Sequence, residues 1–169
     1  MRIVRLEKHL EHSLCLYPEL IDDQLRGIRQ GMEFLGPNYP TLRRQDRMPN
    51  GRLADLVFVE RARVTVVEIK KGNLHVTNAT QSREDVVDQA VDYLRQCRLK
   101  YPGKSEYRGF IVGTAVSDRD SLLRKVSKYQ EAITPLVFGI DIPAAIKFCR
   151  CGRALDYQAT YCCCGARCT

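Results

Sequence analysis

A mixed α/β fold, one sheet covered by helices on both faces, is what this chain of 169 residues predicts. Three observations carry that expectation. Two neighbouring segments, residues 52–60 and 63–71, are so evenly rich in Val, Leu, Ile and Phe that they read as strands buried on both faces. The interruption between them, ERAR, is short and polar, so the two form an antiparallel hairpin. Further along, strand-like and helix-like segments alternate, the pattern of parallel strands joined by helical crossovers.

The elements follow in order. Ile3, Leu6, Leu10 and Leu14 recur at helical spacing, and Pro18 stops that helix and opens a second helical segment, PELIDDQLRGI. Residues 36–50, rich in Pro, Gly and Asn, read as a loop containing an edge strand near Thr41 to Asp46. After the hairpin, Val86, Val87, Ala90, Val91, Leu94 and Cys97 mark the longest helix, Arg83 to Lys100, which YPGK terminates. Residues 107–116 form a strand, 117–132 a helix capped by Ser117 or Asp118, and 134–141 a last strand. The order is helix, three strands, helix, strand, helix, strand.

The chain is long enough for one domain with a true core, residues 1–145, and a small cysteine-rich appendage, residues 146–169. No stretch approaches the eighteen or so apolar residues of a membrane span, and the charged N-terminus lacks the apolar run of a secretion signal. A cytoplasmic location is therefore expected. With 27 Lys and Arg against 20 Asp and Glu, the net charge of +7 makes a nucleic acid a plausible partner, while the lack of an apolar span leads to the expectation of no membrane partner.

Charges inside the valine-rich hairpin call for a reason. Side chains alternate along a strand, so Glu68 and Lys70 project from one face and Val67 and Ile69 from the other. If the hairpin closes at Arg61 and Ala62, residues whose numbers add to 123 lie opposite one another and Asp55 faces Glu68. Opposed residues hold their Cβ atoms roughly 5 Å apart. A three-residue loop would make the relation diagonal. Two carboxylates so close repel each other and lose hydration, and a single lysine balances only one. A hard divalent cation such as Mg²⁺ answers this, taking Asp55, Glu68 and the Ile69 carbonyl as ligands and keeping several waters. Lys70 would then orient a metal-bound water, help deprotonate it, or hold a phosphate oxygen. The plainer alternative is an ordinary ion-pair cluster at a strand end.

Asp55, the Glu68-Ile69-Lys70 step and the element order resemble the PD-(D/E)XK nuclease superfamily, with Ala54 in place of the proline of its name. Gln89 and Tyr93 match the Gln-x-x-x-Tyr motif of its RecB and NucS-like branch. The resemblance spans residues 5 to 140 and is strongest over 51–93. It implies a restriction-endonuclease-like core and gives Gln89 a role in holding Lys70 or substrate. It also offers Glu11, on the first helix, as a third acid for the metal. Unaided by the resemblance, Gln89 caps a sheet carbonyl, Tyr93 is a half-buried core aromatic and Glu11 is a solvated helix residue.

Six of the eight cysteines fall in the last 21 residues. Cys149/Cys151 and Cys162/Cys164 form two Cys-x-Cys-Gly knuckles suited to a tetrahedral structural Zn²⁺, with Cys163 or Cys168 as alternates. This resembles a minimal zinc ribbon; an iron–sulfur cluster is the rival. Cys15 and Cys97 read as buried packing residues. Together these features lead to the expectation of a Mg²⁺- or Mn²⁺-dependent nuclease hydrolysing phosphodiester bonds in DNA, with RNA as an alternative substrate and a homodimer as the guess for assembly. The rival expectation is a non-catalytic nucleic-acid-binding or assembly protein.

Overall fold

The computed structural model describes residues 7–70, 73–74, 85–137, 146–148 and 154–156, with side chains over 10–70, 74 and 85–137. In chain order the elements are α1 (Glu7–Leu16), β1 (Thr41–Arg47), β2 (Leu53–Val59), β3 (Arg63–Ile69), β4 (Asn73–Leu74), α2 (Val86–Lys100), β5 (Glu106–Gly113), β6 (Ala115–Val116), α3 (Arg119–Val126), β7 (Ala132–Val137), β8 (Ile146–Phe148) and β9 (Ala154–Asp156). The main sheet has five strands in the order β1-β2-β3-β5-β7. Its β1–β2 and β2–β3 pairs are antiparallel, and its β3–β5 and β5–β7 pairs are parallel. The mixed sheet expected from the sequence is therefore present, with β1 at its edge.

Alternation along the central strands sends their side chains into two cores. Leu56, Phe58, Val67, Ile69 and Phe110 meet Leu10 and Leu14 of α1 on one face. Val57, Val64, Val66 and Ile111 meet Val87, Val91 and Leu94 of α2 on the other. Strands buried on both sides need continuous apolar runs, which is why residues 52–71 are so rich in valine. On β5, Gly109 lets α2 approach closely, since a Cβ there would stand 3.3 Å from the Leu94 Cδ1. α2 begins at Val86 because Asp85 is its cap, accepting from the amides of Val87 and Asp88 while Asp88 accepts from the Asp85 amide.

The hairpin closes at Arg61 and Ala62, the two-residue alternative of the two the sequence left open. Leu56 pairs with Val67 and Val59 with Val64, so partner numbers add to 123, and the Glu60 amide donates to the Arg63 carbonyl at 2.9 Å. Arg61 and Ala62, a poor turn pair, span the gap without positive φ. Outside contacts hold them there. Lys104 Nζ donates to the carbonyls of Glu60 and Arg61 at 2.8 and 3.2 Å, the Ser105 hydroxyl donates to that of Ala62, and Arg63 Nε donates to the Glu60 carboxylate.

Several sequence expectations are corrected in detail. The second helical segment is instead two separate 3-10 turns, Pro18–Leu20 and Asp23–Leu25. Asp22 between them is extended and accepts from the Gln24 amide, so its side chain caps a new turn instead of continuing the old one. The strand expected over 107–116 is split at Thr114, and β6 pairs with β4 in a small parallel sheet. The helix expected over 117–132 ends at Val126, with Asp118 as its cap. In the tail, β8 and β9 pair antiparallel on either side of residues 149–153. Cys149, Cys151, Cys162, Cys163, Cys164 and Cys168 lie outside the described residues. No helix among the described residues is long and apolar enough to cross a membrane.

Candidate active site

The ladder between β2 and β3 runs from Val59/Val64 to Leu56/Val67, and the candidate site lies just beyond its last pair. The hydrogen-bonded pairs of the hairpin step from Glu60/Arg63 through Phe58/Thr65 to Leu56/Val67, so the Ile69 amide would next be expected to donate to the backbone of Ala54. It donates instead to Asp55 Oδ2, at 2.7 Å. The other Asp55 oxygen accepts from Gln45 Nε2 on the edge strand at 3.1 Å. Gln45 has φ of 47°, the one positive φ outside glycine among the described residues. Such backbone costs an L-residue about 1–2 kcal/mol, and it turns the edge strand just where its side chain reaches Asp55.

Glu68 is 4% exposed, and Lys70 Nζ stands 2.6 Å from its carboxylate. The pair is asymmetric, for the lysine side chain is about one-third exposed (34%) while the glutamate's is almost fully covered. Carrying the register one residue beyond Leu56 and Val67 sets Asp55 opposite Glu68. Tyr93 on α2 reports on both acids. Its phenol is pushed up to about 12, first by burial and then by the negative charges of Glu68 and Asp55, against the opposing guanidinium of Arg52. The hydroxyl remains a donor, bonding the Leu53 carbonyl at 2.8 Å, while Arg52 lies over the ring at 5.3 Å. Tyr93 thus fastens α2 to the start of β2.

One turn before Tyr93, the Gln89 side chain has a buried oxygen, Oε1, with no hydrogen-bond partner among the described residues. Its placement on α2 matches the spacing read from the sequence, and the unpartnered atom is the acceptor of the amide, not the donor that capping a sheet carbonyl would use. Glu11 is 8% exposed on α1, not solvated, and accepts from Arg44 Nε at 2.9 Å and Nη2 at 2.8 Å. Among the described residues no three His, Cys, Asp or Glu side chains form a group able to hold a metal ion, so Glu11 does not gather with Asp55 and Glu68 into such a cluster.

Three residues the sequence reading passed over shape this region. Gln45 holds Asp55, Arg44 holds Glu11, and Arg52 stacks on Tyr93. Only the β1–β2 register, in which Arg44 pairs with Leu56 and Asp46 with Ala54, brings Gln45 level with Asp55. The intervening PN-containing turn left that register open in the sequence. Cys97 is buried, its thiol directed at Met48 Sδ at 3.7 Å, and burial pushes both it and the half-buried Cys15 up to about 12. Both are packing thiols, as expected. Compared with protein-family models, curated proteins and solved structures, the chain finds no significant match in any of the three.

Proposed function

We propose that the chain is a divalent-metal-dependent nuclease that hydrolyses phosphodiester bonds in DNA, with the open end of the β2–β3 hairpin as its active site. The observation that carries this reading is the Asp55 carboxylate bonded to the Ile69 amide, beside a buried Glu68 paired with Lys70. The donor chemistry fits a hard cation. Asp55, Glu68 and the Ile69 carbonyl are oxygen donors on adjoining strands, few enough to suit an ion that keeps most of its waters. The unpartnered Gln89 Oε1 is a further buried acceptor on the same face of the sheet as Tyr93. Glu11, engaged by Arg44, is not needed for that set.

The cation, when bound, would polarise the phosphoryl group and supply hydroxide near neutral pH. The chain's own groups do the rest. Asp55 is held by two hydrogen bonds and so is pre-set, without reorganisation on binding. Lys70 keeps an ammonium at the solvent-facing edge of the site, where it holds a phosphate oxygen as negative charge builds or orients the attacking water. Gln89 Oε1, which has no partner among the described residues, would accept from the Lys70 ammonium or from a substrate donor once the site is occupied. The net charge of +7 favours a polyanion. The cysteines of the tail are proposed to bind a structural Zn²⁺, which metal analysis and the visible absorption of an iron–sulfur cluster would tell apart.

A second reading, a non-catalytic nucleic-acid-binding protein, draws on one observation: Lys70 already balances Glu68 at 2.6 Å. The test is cleavage of plasmid, single-stranded and branched DNA, and of RNA, with Mg²⁺, Mn²⁺ or EDTA. Metal-dependent cutting abolished by Glu68→Ala and Lys70→Ala supports the nuclease. Cutting undiminished in both variants would sink the assignment.

A further inference from the structure

On the α1 side of the sheet, a cavity of about 420 Å³ opens between α1 and β1. Its apolar lining is Cys15, Leu16 and Leu42, and its polar lining is His12, Arg29, Gln30 and Arg44, with no carboxylate among the described lining residues. Arg44 is tied to Glu11. Arg29 is different. Its guanidinium donates to the Ile28 carbonyl at 3.0 Å and has no acidic partner among the described residues. Both guanidinium groups act on the Cys15 thiol of the cavity lining, opposing the effect of its burial.

A loop rises from the rim of this cavity. The Leu42 amide donates to the Arg29 carbonyl at 3.0 Å, so the two lining residues pin the ends of the intervening chain together. That chain displays Phe34, 91% exposed, and Tyr39, 51% exposed. Leaving large rings in water costs apolar hydration, and compact loops with pinned ends are often functional. Apolar lining, hydrogen-bonding walls, a guanidinium with no acidic partner among the described residues and an exposed aromatic ring on the adjoining loop match the parts of an unpaired nucleotide: base, edge groups, phosphate and the next base in the strand.

We propose that this cavity and the 30–41 loop form a single-strand nucleic-acid subsite, taking one unstacked nucleotide into the cavity with its phosphate on Arg29 and stacking an adjacent base on Phe34. This rests on the nuclease reading for its biological sense but not for its test, because binding is measured without divalent metal. A base must leave its duplex partner to enter, so unpaired strands are preferred.

The experiment is fluorescence anisotropy in EDTA with a labelled thymidine dodecamer, the matching RNA, and a duplex of the same length. The unaltered chain is expected to bind the single strand about tenfold more tightly than the duplex. Phe34→Ala should weaken single-strand binding about tenfold, in line with the loss of one base–aromatic stack. Arg29→Gln should weaken it and reduce the salt dependence by about one phosphate contact. Both variants should leave the melting temperature unchanged, since both side chains are exposed. Equal binding by both variants and the unaltered chain, or no single-strand binding at all, overturns the subsite. Binding of this pattern with no cleavage in Mg²⁺ keeps the subsite and removes the nuclease, whereas cleavage without it does the reverse. The DNA and RNA arms distinguish which strand the site takes.

Discussion

The Ile69 amide donates to the Asp55 carboxylate across 2.7 Å, a hydrogen bond that the β2–β3 ladder would otherwise have made through backbone alone. One side chain therefore ends the pairing of two strands and is fixed in place by doing so. Glu68 and Lys70, paired at 2.6 Å, flank Ile69 at this end of the ladder.

Replacing Asp55 separates its two roles. Asp55→Asn keeps an acceptor for the Ile69 amide and is expected to change stability by less than about 1 kcal/mol. Asp55→Ala leaves that amide without its partner and should cost about 1–2 kcal/mol. Both should lower metal-dependent cleavage by at least about 100-fold, the scale of a lost cation ligand. Denaturant melts and a cleavage assay on the same preparations check this; equal stability of the two variants would contradict the hydrogen-bond role.

Gln89 offers a test that separates function from folding. Gln89→Leu removes a buried oxygen without a partner and should leave stability unchanged or raise it by up to about 1 kcal/mol, while cleavage falls by about tenfold or more. A variant that unfolds easily and cuts normally would make Gln89 purely structural.

At Gln45 the strain is in the backbone. Gln45→Gly and Gln45→Ala both lose the bond to Asp55, so their difference isolates the positive φ of 47°. The glycine variant is expected to be more stable by about 1 kcal/mol. Paired urea titrations measure it, and an alanine variant of equal stability would show that the conformation is not held in solution.

Acid should loosen the fold through Asp88 and Asp22. Burial pushes Asp88 up, but hydrogen bonds from Lys125, Tyr129 and the Asp85 amide outweigh it and hold the carboxyl below its ordinary value of 3.8. Burial likewise raises Asp22, and the Gln24 amide and Arg108 outweigh it. A carboxyl whose folded value is depressed contributes stability that is complete above the unfolded value and is lost as pH falls through the folded one. Melting temperature should therefore drop below about pH 4, and Asp88→Asn should make that acid limb shallower. An unchanged limb would remove Asp88 from the account.

How much of this was legible in the sequence varies with the range of the interaction. The hairpin was readable because a polar break separates two apolar runs, but its register was left open between a two- and a three-residue loop, and Lys104 and Ser105, some forty residues on, are what make Arg61 and Ala62 serviceable as a turn. The face shared by Gln89 and Tyr93 followed from helical spacing, and the burial of Cys97 from its place in the apolar stripe. The Glu11–Arg44 pair and the Gln45–Asp55 bond were not readable. Each joins elements whose mutual register depends on loops, at separations of 33 and 10 residues. The 3-10 turns after Pro18 were missed because Asp22 satisfies the helical pattern in sequence but uses its side chain as a cap in space.

Binding of Mn²⁺, followed by electron paramagnetic resonance on the full chain, addresses the central claim most directly. One ion displaceable by Mg²⁺ is expected, with affinity reduced at least about tenfold by either Asp55→Asn or Glu68→Gln, since each removes one of two charged ligands. Failure of the chain to bind Mn²⁺, or binding that neither substitution weakens, would contradict it.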